Sequence, residues 1–518
     1  MDDIAKLCVG DVSPNGIVSI IDEDRLCYVV LNNSKGASGI RTISKSILNE
    51  FIDYIIVHPD KTPTEIRNEI SGKSRIDKFE YGYASTLFIM ANMAIMKYYN
   101  NERIANNENK KVITTDDFSY ISAIKTKPFI ILGGFSGTGK SQKVKELAFA
   151  TCPNDGHLNI NETSPGNYLL VSVKPNWHDS TDIIGFRSSI HNNYYVTDFM
   201  RFLIKAMHFP NVPFFVCLDE MNLAPVEEYF ADFLSVIESR EKTQNGFVVT
   251  DAIIPASVFN DNYAPDFNIF DSLGFERYNN SMTNDDVHYT LLGNFIRIDL
   301  INRLKTQGLT IPSNVIIIGT VNMDDTTNSF SRKVIDRAMT FETVVGKFGD
   351  EYFNSDVALN YVNNPLKGEL FLSDEVRATQ MIDEGRFILT KEEQTKILNF
   401  INDINEDLDG SPFKISYRIL NETILLYRSK KRIAEIMKEE GGLADGVEFK
   451  TDLNTIFDDI LMQKVLPRIE GDYEKCSKCL NKLSLRADNN EWLRSYKKIE
   501  FMIKRFGSDR SGFTSFWN

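Results

Sequence analysis

The fold is decided by one stretch of the chain: Pro128-Phe129-Ile130-Ile131-Leu132-Gly133-Gly134-Phe135-Ser136-Gly137-Thr138-Gly139-Lys140-Ser141. Its first half is an apolar run rich in β-formers, which predicts a buried strand. The run leads directly into the pattern Gly-x-x-x-x-Gly-Lys-Ser over Gly134–Ser141, and Gln142–Ala150 then has helical character. Strand, glycine-rich loop and helix in this order are the context that a phosphate-binding loop requires.

The residue types in this loop suit the binding of phosphate. Glycines allow the backbone N–H groups to turn inward around phosphate oxygens without Cβ clashes. The positive end of the following helix points toward the same anion. We expect Lys140 to reach the β- and γ-phosphates and the Ser141 hydroxyl to ligate Mg²⁺. The nucleotide-binding residues predicted in this segment are Gly134, Gly137, Thr138, Gly139, Lys140 and Ser141.

Two adjacent carboxylates follow a second apolar run. Pro213–Leu218 predicts a buried strand that ends at Asp219 and Glu220. In a parallel sheet shared with the phosphate-loop strand, such a strand delivers its terminal acids to the nucleotide. Asp219 is then expected to hold Mg²⁺, directly or through water, and Glu220 to polarise the attacking water. Acids are also favoured at a helix N-terminus, but the phosphate loop about 80 residues upstream favours the catalytic interpretation.

A third buried strand is predicted over Asn314–Thr320, with Asn322 just beyond it. If this strand lies between the other two, the Asn322 amide can orient water and the γ-phosphate. The next segment contains Arg332 and Arg337, and spacing alone does not assign either of them a role. His178 follows another predicted strand, and a structural role for it is favoured over catalysis.

Length and composition set the frame for these motifs. The 518 residues allow about three domains. We expect a small α+β domain over residues 1–110, a nucleotide-binding core over 115–345 with an insertion at 247–307, and an α-helical region over 346–518. In the first domain the patterns predict a hairpin around Asp22–Arg25 and helices over 43–57, from residue 62 and over 83–99. An amphipathic pattern predicts a helix over Val226–Ile237, and helical patterns in the last region cover 373–384, 391–407, 417–439 and 453–469. The first domain serves either recognition of a target or partner, or assembly alone. A net charge of −14 argues against a broad electrostatic grip on nucleic acid, although a local basic groove stays open.

Other sequence features predict a cytoplasmic protein without a membrane partner. Residues 1–11 contain Asp2 and Asp3 and lack the apolar core of a signal peptide. The longest apolar stretch, Tyr83–Met96, is shorter than the roughly 20 residues that a membrane span needs. Cys476 and Cys479 have ligand-like spacing but no second pair, so free thiols are favoured over a metal or redox site.

Taken together, the motifs over residues 115–518 resemble the AAA+ ATPases, in the branch that holds McrB-type restriction motors, MoxR proteins and the dynein and midasin ATPases. Gly134–Ser141 resembles Walker A, Leu218–Glu220 resembles Walker B, and Gly319–Asn322 with Asp325 resembles sensor 1. Ile335-Asp336-Arg337 is similar to the arginine-finger element, and Ser416-Tyr417-Arg418 lies where the family has sensor 2. The McrB-like group is the best match.

The resemblance implies a hexameric ring with nucleotide between subunits. Arg337, or Arg332 as the second choice, would reach the γ-phosphate of a neighbour, and Arg418 would add transition-state charge. The McrB-like motor drives a separate nuclease subunit, and DNA would be engaged through that complex. Val321–Asp325 replaces the family's Met-Asn-Thr-Ala-Asp and the chain has no Asn-Lys-x-Asp guanine signature, so ATP is favoured as the substrate and GTP stays open as the alternative.

Two rival functions remain at this point. One is a MoxR-like protein-remodelling ATPase whose amino-terminal domain binds protein instead of DNA. The other is a nucleotide-gated scaffold with little hydrolysis, which the intact pair Asp219-Glu220 argues against. No nuclease constellation is evident, so we do not expect the chain itself to cut DNA.

Overall fold

The structure is a computed structural model, and it divides the chain into two units: Met1–Asn109 with Gly274–Ile298, and Lys110–Leu273 with Asp299–Asn518. The residues that it describes are 12–13, 16–22, 25–30, 39–44, 113–153, 158, 163–188, 190, 193–243, 248–260, 269–273, 275–279, 287–291, 294–295, 298–322, 330–343, 359–362, 364–373, 375–439, 449–507 and 512–517.

The described strands, in chain order, are β1 (Val12–Ser13), β2 (Gly16–Asp22), β3 (Arg25–Val30), β4 (Gly39–Ser44), β5 (Phe129–Gly134), β6 (Tyr168–Ser172), β7 (Phe186–Ser188), β8 (Asn193–Tyr195), β9 (Phe214–Asp219), β10 (Glu241–Lys242), β11 (Val248–Val249), β12 (Ala252–Ile254), β13 (Phe275–Asn279), β14 (Val287–Leu291), β15 (Asn294–Phe295), β16 (Leu309–Thr310), β17 (Val315–Asn322), β18 (Met339–Thr343), β19 (Glu470–Asp472) and β20 (Phe513–Ser515). The described α-helices are α1 (Thr115–Thr126), α2 (Lys140–Thr151), α3 (Thr181–Ile184), α4 (Asp198–His208), α5 (Val226–Tyr229), α6 (Ala231–Glu238), α7 (Ile269–Ser272), α8 (Ile298–Gln307), α9 (Arg332–Ile335), α10 (Ala378–Asp383), α11 (Lys391–Asp407), α12 (Tyr417–Glu439), α13 (Leu453–Ile460), α14 (Tyr473–Asn489) and α15 (Leu493–Lys504).

The first unit contains two antiparallel sheets, one of order β1-β2-β3-β4 and one of order β13-β14-β15. The hairpin predicted around Asp22–Arg25 is confirmed by the pairing of β2 with β3. The second sheet belongs to the predicted insertion. The helices predicted over 43–57, from residue 62 and over 83–99 lie outside the described residues, apart from Ile43 and Ser44, which belong to β4.

The second unit is built on a five-stranded parallel sheet of order β18-β5-β17-β9-β6. In chain order this is 5-1-4-3-2, so the strand that carries Asn322 lies between the strands that carry the phosphate loop and the acid pair, which is the condition under which Asn322 can orient water and the γ-phosphate. Gly134 pairs with both Asn322 and Thr343, which aligns the strand ends. We call this side the carboxyl end of the sheet and the opposite side its amino end.

Side chains of the central strands are buried on both faces, as expected for a covered parallel sheet. The predicted continuous helix over Val226–Ile237 is wrong in one respect, because it is divided into α5 and α6 at Phe230. The Phe230 ring is fully buried and stacks on Phe233 with centroids 5.0 Å apart, near Phe129. Tertiary packing of this ring overrides the helical pattern.

The region after β18 is mainly α-helical, with one small antiparallel pair, β19-β20, and this confirms the predicted α/β core with a helical carboxyl-terminal region. α11 and α12 match the predicted ranges, and Thr390 with Glu393 forms a capping box at the start of α11. The helix predicted over Ser373–Glu384 is reduced to α10. The one predicted over Leu453–Ile469 is α-helical only to Ile460 and continues as a π-helical turn and then a 3₁₀ turn. Across the described part of the chain, no helix combines the length and apolar character that a membrane span requires.

Candidate functional site at the two ends of the sheet

The glycine-rich loop follows β5 at the carboxyl end of the sheet. A Cβ atom at Gly134 would lie 2.1 Å from Oγ1 of Thr343, so the close approach of β18 requires glycine there. Gly137 and Gly139 have φ values of 78° and 75°, in the left-handed region that favours glycine. The Thr138 and Thr343 hydroxyls lie 3.1 Å apart and connect the loop to β18.

Lys140 lies inside the curve of this loop. Its Nζ donates to the carbonyl oxygens of Gly134 at 2.9 Å and Phe135 at 2.7 Å, and its side chain is buried. Helix α2 begins at Lys140, and the N-cap Gly139 offers no side chain to the free N–H groups of the first turn. An ammonium and uncapped helical N–H groups therefore face the same point, which suits an anion.

A chain of hydrogen bonds joins the loop to the ends of β9 and β17. Ser141 Oγ donates to Asp219 Oδ1 at 2.5 Å, and Thr320 Oγ1 donates to the same oxygen at 2.7 Å. The Thr320 hydroxyl in turn accepts the Glu220 N–H at 3.0 Å. Thr320 was not predicted as a site residue. Thr320 could have been recognised in the sequence as a polar residue in an apolar strand. It lies two positions before Asn322, so both side chains leave the same face of the strand.

Glu220 is held on both its backbone and its side chain. Its φ and ψ of 52° and 49° are left-handed, an arrangement that costs a non-glycine residue about 1–2 kcal/mol. Asn322 Nδ2 donates to Glu220 Oε1 at 2.8 Å. Asn222 Nδ2 donates to the Asn322 carbonyl at 3.3 Å and supports the pair from behind. The structure thus brings Glu220 and Asn322 together.

The donor set at this end suits a magnesium–triphosphate ligand. The Ser141 hydroxyl and the Asp219 carboxylate converge, and hard oxygen donors are what Mg²⁺ prefers. The Lys140 ammonium and the loop N–H groups lie next to them for phosphate oxygens. Glu220 is a carboxylate fixed beside the same group, which can accept a proton from water. Asp325 of the predicted sensor 1 lies outside the described residues.

Arg337 and Arg418 meet at the amino end of the sheet. Nη2 of each guanidinium pairs with the carboxylate of Glu238, the last residue of α6. Both arginines line a cavity of about 160 Å³ together with Lys127, which comes just before β5. Since Gly134 ends β5, its six residues at about 3.3 Å each put roughly 20 Å between this cavity and the phosphate loop. Within one chain, the structure does not bring Arg337 or Arg418 to the phosphate loop.

A further arginine, which the sequence did not single out, lines the same cavity. Burial lowers the pKa of Arg240 to about 10, and no ion pair or hydrogen bond to it forms within the described residues. Arg332, the second candidate for the arginine finger, donates from Nη1 to the Pro412 carbonyl at 2.8 Å. Its guanidinium lies 5.0 Å from the Phe413 ring centre. Arg332 is therefore engaged with the helical region, while Arg337 lines the cavity.

The two ends of the sheet carry opposite charge. Exposed acids occupy the segments that follow β6 and β9 at the carboxyl end: Asp179, Asp182, Glu227, Glu228 and Asp232. Partial desolvation, aided by the negative charge of the nearby Asp179, raises the pKa of Asp182. At the amino end, the 160 Å³ cavity and a neighbouring one of about 930 Å³ are lined by four glutamates and nine cationic residues. The nine are Lys125, Lys127, Arg240, Arg337, Lys367, Arg386, Arg418, Arg428 and Arg432.

His178 and the cysteine pair, for which the sequence favoured no catalytic or metal-binding role, do not belong to this site. His178 is exposed, with Nδ1 3.9 Å from a carboxylate oxygen of Glu228. Cys476 and Cys479 are buried free thiols on α14. No group of three or more His, Cys, Asp or Glu side chains is arranged to hold a metal ion in the part of the chain that the structure describes.

The chain matches one family of known proteins over part of its length and is similar to solved structures. Residues 372–511 match a family described as a domain of unknown function, DUF8727. No curated protein matches the chain. Among solved structures, it is similar to the crystal structure of a "putative ATPase" from Cytophaga hutchinsonii, with 13% sequence identity and a TM-score of 0.37, over 77% of this chain and 95% of that chain. The class of the core follows from its own geometry: a parallel α/β sheet of order 5-1-4-3-2 with a phosphate-loop motif at its carboxyl end.

Proposed function

We propose that this chain is a nucleoside-triphosphate-hydrolysing AAA+ motor subunit. The observation that carries the proposal is the continuous set of bonds from Ser141 through Asp219 and Thr320 to Glu220 and Asn322, directly beside the phosphate loop. It joins a hydroxyl and a carboxylate suited to Mg²⁺ to a carboxylate suited to water activation. ATP and GTP are both compatible with these contacts, because none of them selects a base.

Each residue then has a distinct task. Lys140 and the loop N–H groups bind the β- and γ-phosphates, and Ser141 and Asp219 would hold Mg²⁺, which supplies charge neutralisation when bound. Glu220 accepts the proton of the attacking water. Asn322 keeps one carboxylate oxygen of Glu220 occupied, which leaves the other oxygen for water. The left-handed backbone of Glu220 fixes the direction in which its side chain leaves β9.

We propose further that the catalytic site is completed by a second copy of the chain. Arg337 and Arg418 lie roughly 20 Å from their own phosphate loop, so they can serve only a neighbouring one. The acidic carboxyl end and the cationic amino end are complementary, which favours head-to-tail contact between identical copies. Such contacts close into rings when the rotation allows it, and the AAA+ resemblance supports a hexamer.

Mixing of two inactive variants tests both proposals. Glu220→Gln keeps the arginines and nucleotide binding but lacks the base, and Arg337→Ala keeps the base but lacks the arginine. Each alone should lose at least ~100-fold of its phosphate release. In an equal mixture about one interface in four combines an intact base with an intact arginine, so turnover should return to about a quarter of wild type. A mixture as inactive as its parts would contradict the arrangement in trans, and near-normal turnover of Glu220→Gln alone would contradict the assignment of the base.

The biological setting that the resemblance supports is a McrB-like component of a DNA restriction system acting with a separate nuclease subunit. A Glu220→Gln protein should stall in its nucleotide-bound assembly, so it can be used to isolate partners from the native host. Recovery of a nuclease subunit in a defined ratio would support the restriction motor and a recognition role for residues 1–110. Recovery of other proteins without a nuclease would favour the MoxR-like remodelling ATPase.

A further inference from the structure

The segment that carries Arg337 is bound by a single turn of the helical region. After α13 the chain makes a π-helical turn over Leu461–Val465. Lys464 in this turn is fully buried, and its Nζ donates to the carbonyl oxygens of Asp336 at 3.0 Å and Ala338 at 2.7 Å. These two carbonyls flank Arg337 on either side. The ammonium therefore fixes the backbone from which the Arg337 side chain projects.

Two more contacts connect the same parts of the chain. The Thr340 hydroxyl donates to the Gln463 carbonyl of the π-helical turn at 2.6 Å. Arg468, in the 3₁₀ turn that follows, has Nε 3.2 Å from Oδ1 of Asp336. π-helical turns often occur at functional positions, because their irregular hydrogen bonding frees backbone groups for other partners. Here the turn places the Lys464 ammonium and the Gln463 carbonyl in contact with residues on both sides of Arg337.

The buried charge of Lys464 is balanced by Glu422. Their contact of 2.9 Å is an ion pair, and Glu422 also pairs with Lys127 at the start of β5. Glu422 lies four residues after Arg418 on α12, so both side chains leave the same face of that helix. Burial lowers the pKa of Lys464 to about 8, against the attraction of Glu422. A buried ammonium is costly to a fold, so a hydrophobic side chain would serve mere packing better.

We propose that Lys464 is a positioning residue for Arg337 and ties the reach of that arginine to the helical region. This inference rests on the proposed role of Arg337 toward a neighbouring nucleotide. When the helical region moves as a body, the carbonyls on both sides of Arg337 move with it. Lys464 itself touches no nucleotide, because its side chain is fully buried beneath the arginine segment.

The chain offers a matched control for this proposal. Lys430 is also a buried lysine of the helical region, paired with the buried Asp459, which keeps a second cation in Arg494. Lys464→Met likewise leaves Glu422 with its second cation, Lys127. Both substitutions remove one buried ammonium from a three-charge cluster, so both should lower the thermal midpoint. Only the first removes contacts with the segment of Arg337.

Three measurements distinguish positioning from stability. Lys464→Met should lower kcat about 10- to 100-fold with nucleotide affinity unchanged, whereas Lys430→Met should stay within about twofold of wild type at a temperature where both are folded. The double variant of Lys464→Met and Arg337→Ala should be no less active than Arg337→Ala alone, because the arginine that Lys464 positions is already absent. Mixed with Glu220→Gln, it should recover as Arg337→Ala does, because its own base is intact and only the arginine that it offers is displaced.

The outcomes separate this inference from the proposal on which it stands. Equal turnover of Lys464→Met and Lys430→Met, or no recovery on mixing with Glu220→Gln, would overturn the positioning role alone. Full activity of Arg337→Ala would overturn the role of that arginine and this inference with it. Should Lys464→Met fail to fold, Thr340→Val removes one hydroxyl of the same contact and should give a smaller loss of kcat, about three- to tenfold. Unchanged kcat in Thr340→Val would then count against the proposal.

Discussion

The two ends of the central sheet hold their charged side chains in different ways. At the carboxyl end, Ser141, Asp219, Thr320, Glu220 and Asn322 form successive hydrogen bonds of 2.5–3.0 Å on or next to paired strands. At the amino end, two arginines from separate elements share one partly exposed carboxylate. The first arrangement is fixed by backbone pairing, and the second by ion pairs that water and other anions can replace. One end is therefore held by hydrogen bonds within the chain, while the other is held by ion pairs that another anion could replace.

The largest effects should come from removing one cation at each end. Lys140→Ala takes the ammonium from the phosphate loop, so nucleotide affinity should fall at least ~100-fold. Arg337→Ala should leave affinity within about threefold but lower kcat about 10³-fold, as loss of an arginine finger does. Titration with a fluorescent nucleotide and phosphate release measure the two quantities separately.

The exposed Lys333, on the same short helix as Arg332, provides a control for charge alone. Lys333→Ala should leave both affinity and turnover within about twofold, as most surface substitutions do. Loss of nucleotide affinity in Arg337→Ala would break the comparison, because that arginine would then belong to the binding site of its own chain.

The sequence is most informative about those parts of the candidate site whose residues are close together in the chain. The positions of Gly134–Ser141 and Asp219-Glu220 at neighbouring strand ends could be predicted from the residues themselves, because contiguous motifs at strand ends fix their own geometry. The placement of Asn322 needed only the order of three strands, which the parallel sheet confirms. Fold class and the carboxyl end of the site were thus within reach of pattern and elementary chemistry.

The contacts at the amino end of the sheet could not be predicted from the sequence, and the reason is physical. Glu238 meets Arg337 and Arg418 across 99 and 180 residues, and Lys464 meets Asp336 across 128. No periodicity encodes such separations, because each contact depends on how the helical region packs against the sheet. The amphipathic pattern over Val226–Ile237 likewise could not reveal the break at Phe230, which arises from rings in other elements.

A smaller effect is expected from removing the Thr320 hydroxyl, which belongs to the hydrogen-bonded set at the carboxyl end of the sheet. Thr320→Val keeps the shape of the side chain but removes its bonds to Asp219 and to the Glu220 N–H, so both acids lose an anchor. We expect kcat to fall about tenfold and the free energy of unfolding to fall by about 1–2 kcal/mol. Steady-state kinetics and urea denaturation measure these changes.

Thr423 is a matched control, since it is equally buried but, among the described residues, its hydroxyl bonds only to the Ile419 carbonyl of its own helix. Thr423→Val should lower stability by at most about 1 kcal/mol and leave kcat within about twofold. Wild-type kcat in Thr320→Val would mean that backbone pairing alone holds the acids, and would sharpen the contrast between the two ends.

The smallest effect is expected from a change in the ion pairs at the amino end of the sheet. Glu238→Gln removes the carboxylate that holds both arginines in the free chain, and a partly exposed pair of this kind is worth at most about 1 kcal/mol. If a neighbour's phosphate takes over these arginines, the protein concentration for half-maximal turnover should fall about two- to fivefold, with kcat at saturating concentration unchanged. Glu392 lies on the exposed face of α11, and within the described part of the chain it pairs only with Lys396 one turn along, so Glu392→Gln should change neither quantity. A loss of kcat at saturation in Glu238→Gln would place the carboxylate within the assembled catalytic site, and the amino end would then be as fixed as the carboxyl end.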